Sequence, residues 1–255
     1  MSKIFKIIVF LVVVLDGNSG MADTIRVAVA SNALAASQEL GTLFTVKTGH
    51  KVSLSAASTG KLYAQIVNGA PYDVFMAANM REPGRLIDSG LADKDSRMTY
   101  AIGQLVVYST RLAIQGQQAE TILQAGTWQR LAIANPRTAP YGVAAKEVLQ
   151  HLGIWDASQA RLIRGENIGQ AFYFTQSGNV DLGLVALSQI KSQKMGKDDA
   201  YVSIPDSWYT PLKQQAVVLT RSQNIAVAKS FITFLGSQQA RQLLTEKYGY
   251  AVESK

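Results

Sequence analysis

The chain has 255 residues, a net charge of +7 and no cysteine. Without cysteine it has no disulfide, no thiolate metal site and no cysteine nucleophile, and it lacks the residue that carries the lipid anchor of an exported protein. The basic residues are scattered and are not interleaved with aromatic ones, so we predict no nucleic-acid surface. The length suffices for one large domain or two small ones.

Residues 1–22 have the pattern of a secretory signal peptide. Lys3 and Lys6 precede an apolar run over residues 7–15, and Gly20-Met21-Ala22 is a small-x-small cleavage pattern. The run is too short to span a membrane. We therefore expect an exported protein with a charge of about +6 after cleavage, located in a bacterial periplasm.

Strands alternate with helical patterns in the first half of the chain. The segments 24–30, 51–56 and 72–77 have the composition of strands, and helical periodicity follows the first two. Ser31-Asn32 and Ser58-Thr59-Gly60 stand at the two helix starts, where a hydroxyl commonly caps the helix. Alternating strands and helices predict a parallel sheet with helices on both faces.

A second α/β series follows an extended segment at residues 103–108. Its predicted elements are strands at 131–134, 161–163, 180–185 and 214–220, helices beginning at Pro140-Tyr141-Gly142 and near Ile168, and one long amphipathic segment at 226–248. The two series predict two lobes: residues 23–102 plus 216–255 form lobe 1, and residues 103–215 form lobe 2. Ligands of such sheets bind beyond the carboxyl ends of the strands, and two lobes close by a hinge motion.

Few residues suggest catalysis. The two histidines, His50 and His151, are isolated, and we expect both at the surface. The chain has no zinc-protease, esterase or dinucleotide motif, and Leu62 stands where the Ser or Thr of a phosphate-binding loop would be. We therefore expect a binding protein, with no catalytic residue, no cofactor and no directly coordinated metal.

What recurs is a small or hydroxyl-bearing turn before a helix, at Ser31-Asn32, Ser58-Thr59, Pro140-Tyr141 and Asn167-Ile168. Four such helix starts around one cleft would offer uncharged N–H and O–H donors, which suit an oxyanion that stays fully ionised. The alternative at each position is structural: Ser31, Ser58 and Thr59 as plain caps, Tyr141 as hydrophobic cover and Ile168 as core.

Several longer stretches resemble a known family over nearly the whole mature chain. They are VAVASN at 27–32, ASTGKLYAQI at 57–66, GAPYDVF at 69–75, PYG at 140–142, GENI at 165–168, DLGLVA at 181–186 and the tail from 234 to 250. In this order they resemble the periplasmic molybdate-binding proteins of ABC importers.

The resemblance implies a type II periplasmic binding fold, in which each lobe is a mixed sheet flanked by helices and two crossover strands join the lobes. It implies capture of molybdate, and of tungstate, by Ser31 with Asn32 beside it, by Thr59 with Ser58, and by backbone N–H groups of Tyr141 and Ile168. The implied partners are a membrane permease and its cytoplasmic ATPase, with the binding protein itself a monomer.

The sequence alone leaves alternative ligands and functions open. Some family members have a tyrosine after the strand at 183–185, where this chain has Ala186. Tyr141 resembles the compensating tyrosine of another branch, so the number of donors and the selectivity stay open. The same module could be tuned to sulfate or phosphate, or the chain could be an exported hydrolase that uses Ser31 or Ser58. The effector domain of a LysR-type regulator shares the architecture, but the signal peptide and the absence of DNA-binding helices disfavour it.

Overall fold

The computed structural model describes residues 22–252. The predicted signal peptide at 1–22 lies outside the described residues except for Ala22. The described residues form two five-stranded mixed sheets flanked by helices, which confirms the predicted two-lobed α/β fold. Across residues 22–252, no helix combines the length and apolar character that a membrane crossing needs.

Ten strands and ten helices make up this part of the chain. The strands are β1 (Thr24–Ala30), β2 (Lys51–Ala57), β3 (Val74–Ala77), β4 (Met98–Gly103), β5 (Leu105–Ser109), β6 (Leu131–Ala134), β7 (Leu162–Gly165), β8 (Leu182–Ala186), β9 (Ala200–Ser203) and β10 (Leu212–Val218). The helices are α1 (Leu34–Thr48), α2 (Thr59–Val67), α3 (Arg81–Asp88), α4 (Ala119–Gln124), α5 (Pro140–His151), α6 (Trp155–Ser158), α7 (Ile168–Gln176), α8 (Leu187–Lys191), α9 (Ile225–Leu235) and α10 (Gln238–Gln242).

Each sheet combines parallel strands with a returning antiparallel strand. The first sheet has the order β2-β1-β3-β10-β4, and β10 runs antiparallel to both of its neighbours. The second sheet has the order β7-β6-β8-β5-β9, and β5 is antiparallel to β8 and β9. The chain crosses to the second sheet between β4 and β5 and returns before β10, so two connections join the lobes.

The register of the parallel strands determines where the following helices begin. Ala30, the last residue of β1, pairs with Ala57, the last residue of β2. Ser31 and Ser58 therefore leave the first sheet side by side. In the second sheet Ala134 pairs with Gly165, so the segments that lead into α5 and α7 also leave from one edge.

Strand β1 of the first sheet packs against helices on both faces, and its side chains alternate between them. Val27 and Val29 of β1 pack with α1 and α9, whereas Ala28 between them packs against α2. The second sheet has its own core around Ile133 and Leu184. Each lobe is therefore a layered α/β unit with an apolar interior.

The sequence did not predict two features of the elements. The amphipathic segment expected at 226–248 is divided: Ser237 accepts a hydrogen bond from the Ala240 N–H and starts α10, and a π-helical turn follows at Leu243–Lys247. The strand β4 was not predicted, because apolar and polar residues do not alternate along it: Tyr100 and Ala101 are adjacent and both buried, and Gly103 is buried as well. Gly103 and residues 212–215, predicted for lobe 2, belong to β4 and β10 of the first sheet; the lobe limits otherwise stay a prediction.

Candidate functional site

A small cavity lies where the two lobes meet. Its walls contain all six residues predicted from the sequence: Ser31, Asn32, Ser58, Thr59, Tyr141 and Ile168. The remaining wall consists of alanines and Pro140, and none of the lining residues is charged. The predicted residues, far apart in the sequence, thus surround one space.

The cavity is surrounded by the beginnings of helices. Ser58 immediately precedes α2, Pro140 and Tyr141 are the first residues of α5, and Ile168 is the first residue of α7. Ser31 begins a 3-10 turn that leads into α1. The first backbone N–H groups of a helix have no partner within the helix, and the helix dipole makes that end partially positive. No acidic residue occupies the first turn of α2, α5 or α7 to neutralise it.

Three hydroxyl groups come from the first lobe. Ser58 flanks α2 but makes no side-chain cap bond, and its Oγ is buried without any hydrogen-bond partner. Thr59 Oγ1 accepts from the Ala78 N–H at 3.0 Å, and Ser31 Oγ accepts from the Gly169 N–H of the other lobe at 3.4 Å. Each hydroxyl therefore still has its own proton to donate.

The Asn32 side chain turns away from the cavity. Its Nδ2 donates to Gln214 Oε1 at 2.8 Å and to Tyr250 Oη at 3.0 Å, both buried. The Tyr141 hydroxyl is occupied in the same region, where it accepts from Gln214 Nε2 at 3.2 Å. The Asn32 amide nitrogen and the Tyr141 hydroxyl are thus both bonded to Gln214; that Tyr141 offers its backbone N–H to a ligand stays a prediction from the resemblance.

The tyrosines behind the cavity are neutral. Burial raises the pKa of Tyr100 and of Tyr141 well above the ordinary range, and it raises the pKa of Tyr250 to about 12. They keep their protons at any physiological pH and add no negative charge near the helix starts.

Direct contacts across the cleft hold the lobes together. The Gly60 N–H donates to the Thr138 carbonyl at 2.8 Å, and Lys61 forms an ion pair with Glu166. A Cβ added at Gly60 would lie 2.9 Å from the same carbonyl oxygen, so this close approach requires glycine. The described structure is a closed one.

Other parts of the sequence prediction fall outside the cavity. Neither histidine lines it: His50 accepts from the Asp23 N–H, and the ring of His151 stacks on Trp208. Ala186 ends β8 and does not line it either. Gln214 was not predicted, because a lone glutamine in an apolar strand carries no motif that would reveal its partners.

The chain is similar in sequence to known solute-binding proteins. Residues 25–251 match the family model described as bacterial extracellular solute-binding protein. The chain is 38% identical to the molybdate-binding protein ModA of Azotobacter vinelandii over 92% of both chains, and 37% identical to ModA of Rhodobacter capsulatus over 91% of this chain and 90% of that one.

A solved structure extends the similarity to three dimensions. The Azotobacter vinelandii periplasmic molybdate-binding protein superposes with a TM-score of 0.84 at 36% identity, covering 90% of this chain and 100% of that one. The similarity thus includes both lobes.

Proposed function

This chain belongs to the bacterial extracellular solute-binding protein family, and from that premise we propose that it captures molybdate between its lobes and delivers it to an ABC importer. The observation that carries the proposal is the buried, unpartnered hydroxyl of Ser58 in an uncharged cavity surrounded by helix starts. A buried polar group without a partner is costly. A guest that accepts hydrogen bonds removes that cost.

The donors suit a dianion that carries no proton of its own. The hydroxyl oxygens of Ser31 and Thr59 already accept from backbone N–H groups, so what these two offer to a guest is mainly their protons. Hydrogen bonds to a charged group contribute about 1.5–3 kcal/mol each. Since micromolar binding corresponds to about 8 kcal/mol, a handful of them suffices after ordering costs.

Selectivity follows from fit and from protonation. Sulfate is smaller than molybdate and would leave donors unpaired in a cavity built for the larger ion. Phosphate carries a proton near neutral pH, and a site composed mostly of donors satisfies that proton poorly. Tungstate has nearly the size of molybdate, so we expect both to bind.

A hydrolytic role finds little support in the same geometry. A serine nucleophile needs a base within hydrogen-bond reach, and the partners of Ser31, Ser58 and Thr59 among residues 22–252 are backbone N–H groups or none. We propose a binding protein that acts without a cofactor.

The decisive experiment is calorimetric titration of the mature protein with molybdate, tungstate, sulfate and phosphate. We expect one site per chain for molybdate and tungstate and no heat from the other two anions. Ser58→Ala should weaken binding, whereas Ser55→Ala, an exposed serine on the preceding strand β2, should leave binding unchanged. Tight sulfate or phosphate binding without molybdate heat would overturn the proposal.

The proposed location is the periplasm, where the importer would receive the anion. It rests on the signal-peptide pattern of residues 1–22. The intact mass of the exported protein should correspond to cleavage near Ala22, and an uncleaved chain in the cytoplasm would refute this location.

A further inference from the structure

A buried polar cluster lies behind the cavity, where the crossing strands leave the first sheet. We call it the hinge cluster and define it by Asn32, Tyr100, Tyr141, Gln214 and Tyr250. Its central group is the carboxamide of Gln214, which is fully buried. Gln214 lies on β10 at a β-bulge, where the register with β4 shifts between it and Gln215. Bulges commonly turn a side chain toward a new direction.

The Gln214 carboxamide joins the two lobes. Its Oε1 accepts from Asn32 Nδ2 at 2.8 Å and from the Tyr100 hydroxyl at 3.0 Å, both in the first lobe. Its Nε2 donates to the Tyr141 hydroxyl at 3.2 Å, and Tyr141 belongs to the second lobe. A second bond across the boundary runs from Ser188 Oγ to the Asn32 carbonyl at 3.0 Å.

The two residues that Gln214 connects are both cavity residues. Asn32 and Tyr141 line the cavity from opposite lobes, and their side chains meet at one amide. The orientation of Asn32 is maintained at a cost, because its Oδ1 is left buried without a partner. Asn32 thus keeps its hydrogen bond to Gln214 although its own Oδ1 stays unsatisfied.

The crossing strand leaves room for this contact. Gly103 is the last residue of β4 before the chain passes to the second sheet. A Cβ at Gly103 would lie 2.1 Å from the Tyr141 hydroxyl and 2.6 Å from Gln214 Nε2. The Tyr141–Gln214 bond thus exists only because the strand carries no side chain at this position.

We propose that Gln214 is a positioning residue for oxyanion capture: it holds Asn32 and Tyr141 at the spacing that closes the cavity and favours the closed arrangement of the lobes. This inference rests on the proposed function for its ligand readout. Gln214 itself does not line the cavity. Its effect passes through the two residues that it connects.

The test compares neighbouring glutamines on one strand. Gln214→Met keeps the length of the side chain and removes its hydrogen bonds. Gln215→Met is the matched control, since Gln215 is also buried but bonds only to Arg97 and Thr99, within the first lobe. We expect Gln214→Met to weaken molybdate binding about tenfold and Gln215→Met less than about twofold.

A double-mutant cycle separates positioning from general destabilisation. Tyr141→Phe removes the cross-lobe bond from the other side. The effects of Gln214→Met and Tyr141→Phe on molybdate affinity should therefore be clearly less than additive in the double variant. Additive effects, or equal losses in Gln214→Met and Gln215→Met, would overturn the inference.

A second readout needs no ligand. Because the chain has no cysteine, Val67→Cys and Tyr173→Cys, both exposed and in different lobes, provide a unique spin-label pair. Without molybdate, Gln214→Met should lengthen the interlobe distance relative to the unsubstituted labelled protein, and Gln215→Met should not. If the unsubstituted protein gives no heat with molybdate, the proposed function fails, while this distance measurement still decides the role of Gln214.

Discussion

The two halves of the cavity are built differently. The first lobe contributes side chains, the hydroxyls of Ser31, Ser58 and Thr59, on turns that follow two strands in register. The second lobe contributes helix starts at Tyr141 and Ile168, whose side chains are committed elsewhere or apolar. The first half therefore depends on residue type, and the second on backbone placement.

This difference determines how each half responds to mutation. Removing a hydroxyl deletes one donor to a charged guest, whereas changing an apolar side chain leaves the backbone N–H where it was. The second half is disturbed mainly by changes that shift it relative to the first. The following variants test this contrast, from the largest expected effect to the smallest.

The largest loss is expected for Thr59→Val, which keeps the shape and removes the hydroxyl. Molybdate affinity should fall about tenfold to a hundredfold. The free energy of unfolding should fall by about 1–3 kcal/mol as well, because the buried Ala78 N–H loses its acceptor. Calorimetry and urea unfolding measure the two effects. Thr59→Ser, which keeps the hydroxyl, should retain most of the affinity; if Thr59→Val binds as the unsubstituted protein does, Thr59 donates nothing to the guest.

Ser58→Ala should change affinity and stability in opposite directions. Molybdate binding should weaken about tenfold, because one donor to the charged guest is lost. The ligand-free protein should gain about 1 kcal/mol in free energy of unfolding, since a buried hydroxyl without a partner is removed. Ser55→Ala on the exposed face of β2 is the control for both measurements. A loss of stability in Ser58→Ala would show that its hydroxyl has a structural partner.

Gly60→Ala tests placement and leaves every donor in the cavity intact. The new Cβ lies 2.9 Å from the Thr138 carbonyl oxygen, so the lobes must separate slightly, and affinity should fall about fivefold. Gly84→Ala is the matched control, because its Cβ meets only the Arg97 side chain at 3.8 Å. An affinity of Gly60→Ala equal to that of Gly84→Ala would refute the requirement for close approach.

Ile168→Val should have the smallest effect on binding. The backbone N–H is unchanged, so molybdate affinity should change less than about twofold, while the free energy of unfolding falls by about 0.5–1.5 kcal/mol because a buried methylene is lost. A tenfold loss of affinity measured by calorimetry would instead mean that the isoleucine side chain contacts the guest.

The sequence pointed to residues that line the cavity, but it did not reveal the hydrogen bonds of the hinge cluster behind them. The turns at Ser31 and Ser58 follow regular strands, and helix starts after strands have a recognisable composition. Their meeting at one cavity depends on the pairing of Ala30 with Ala57 and on the packing of two lobes. The packing of the two lobes is a tertiary property that no local pattern encodes.

The structural features that the sequence did not predict have a common physical explanation. Strand β4 shows no regular alternation of apolar and polar residues, and the break at Ser237 interrupts an apolar pattern that continues on both sides. The hinge cluster depends on Gly103 and Gln214, two common residue types whose partners lie far away in the sequence. Long-range hydrogen bonds of this kind become visible only in the folded molecule.

The ion pair between Lys61 and Glu166 has a consequence for release. Its side chains are 48% and 59% exposed, so mobile ions surround it, and their screening length is about 8–10 Å at ordinary ionic strength. The cavity has no charged wall for those ions to screen. Higher ionic strength would therefore weaken this pair at the rim of the cleft more than it weakens the hydrogen bonds inside the cavity.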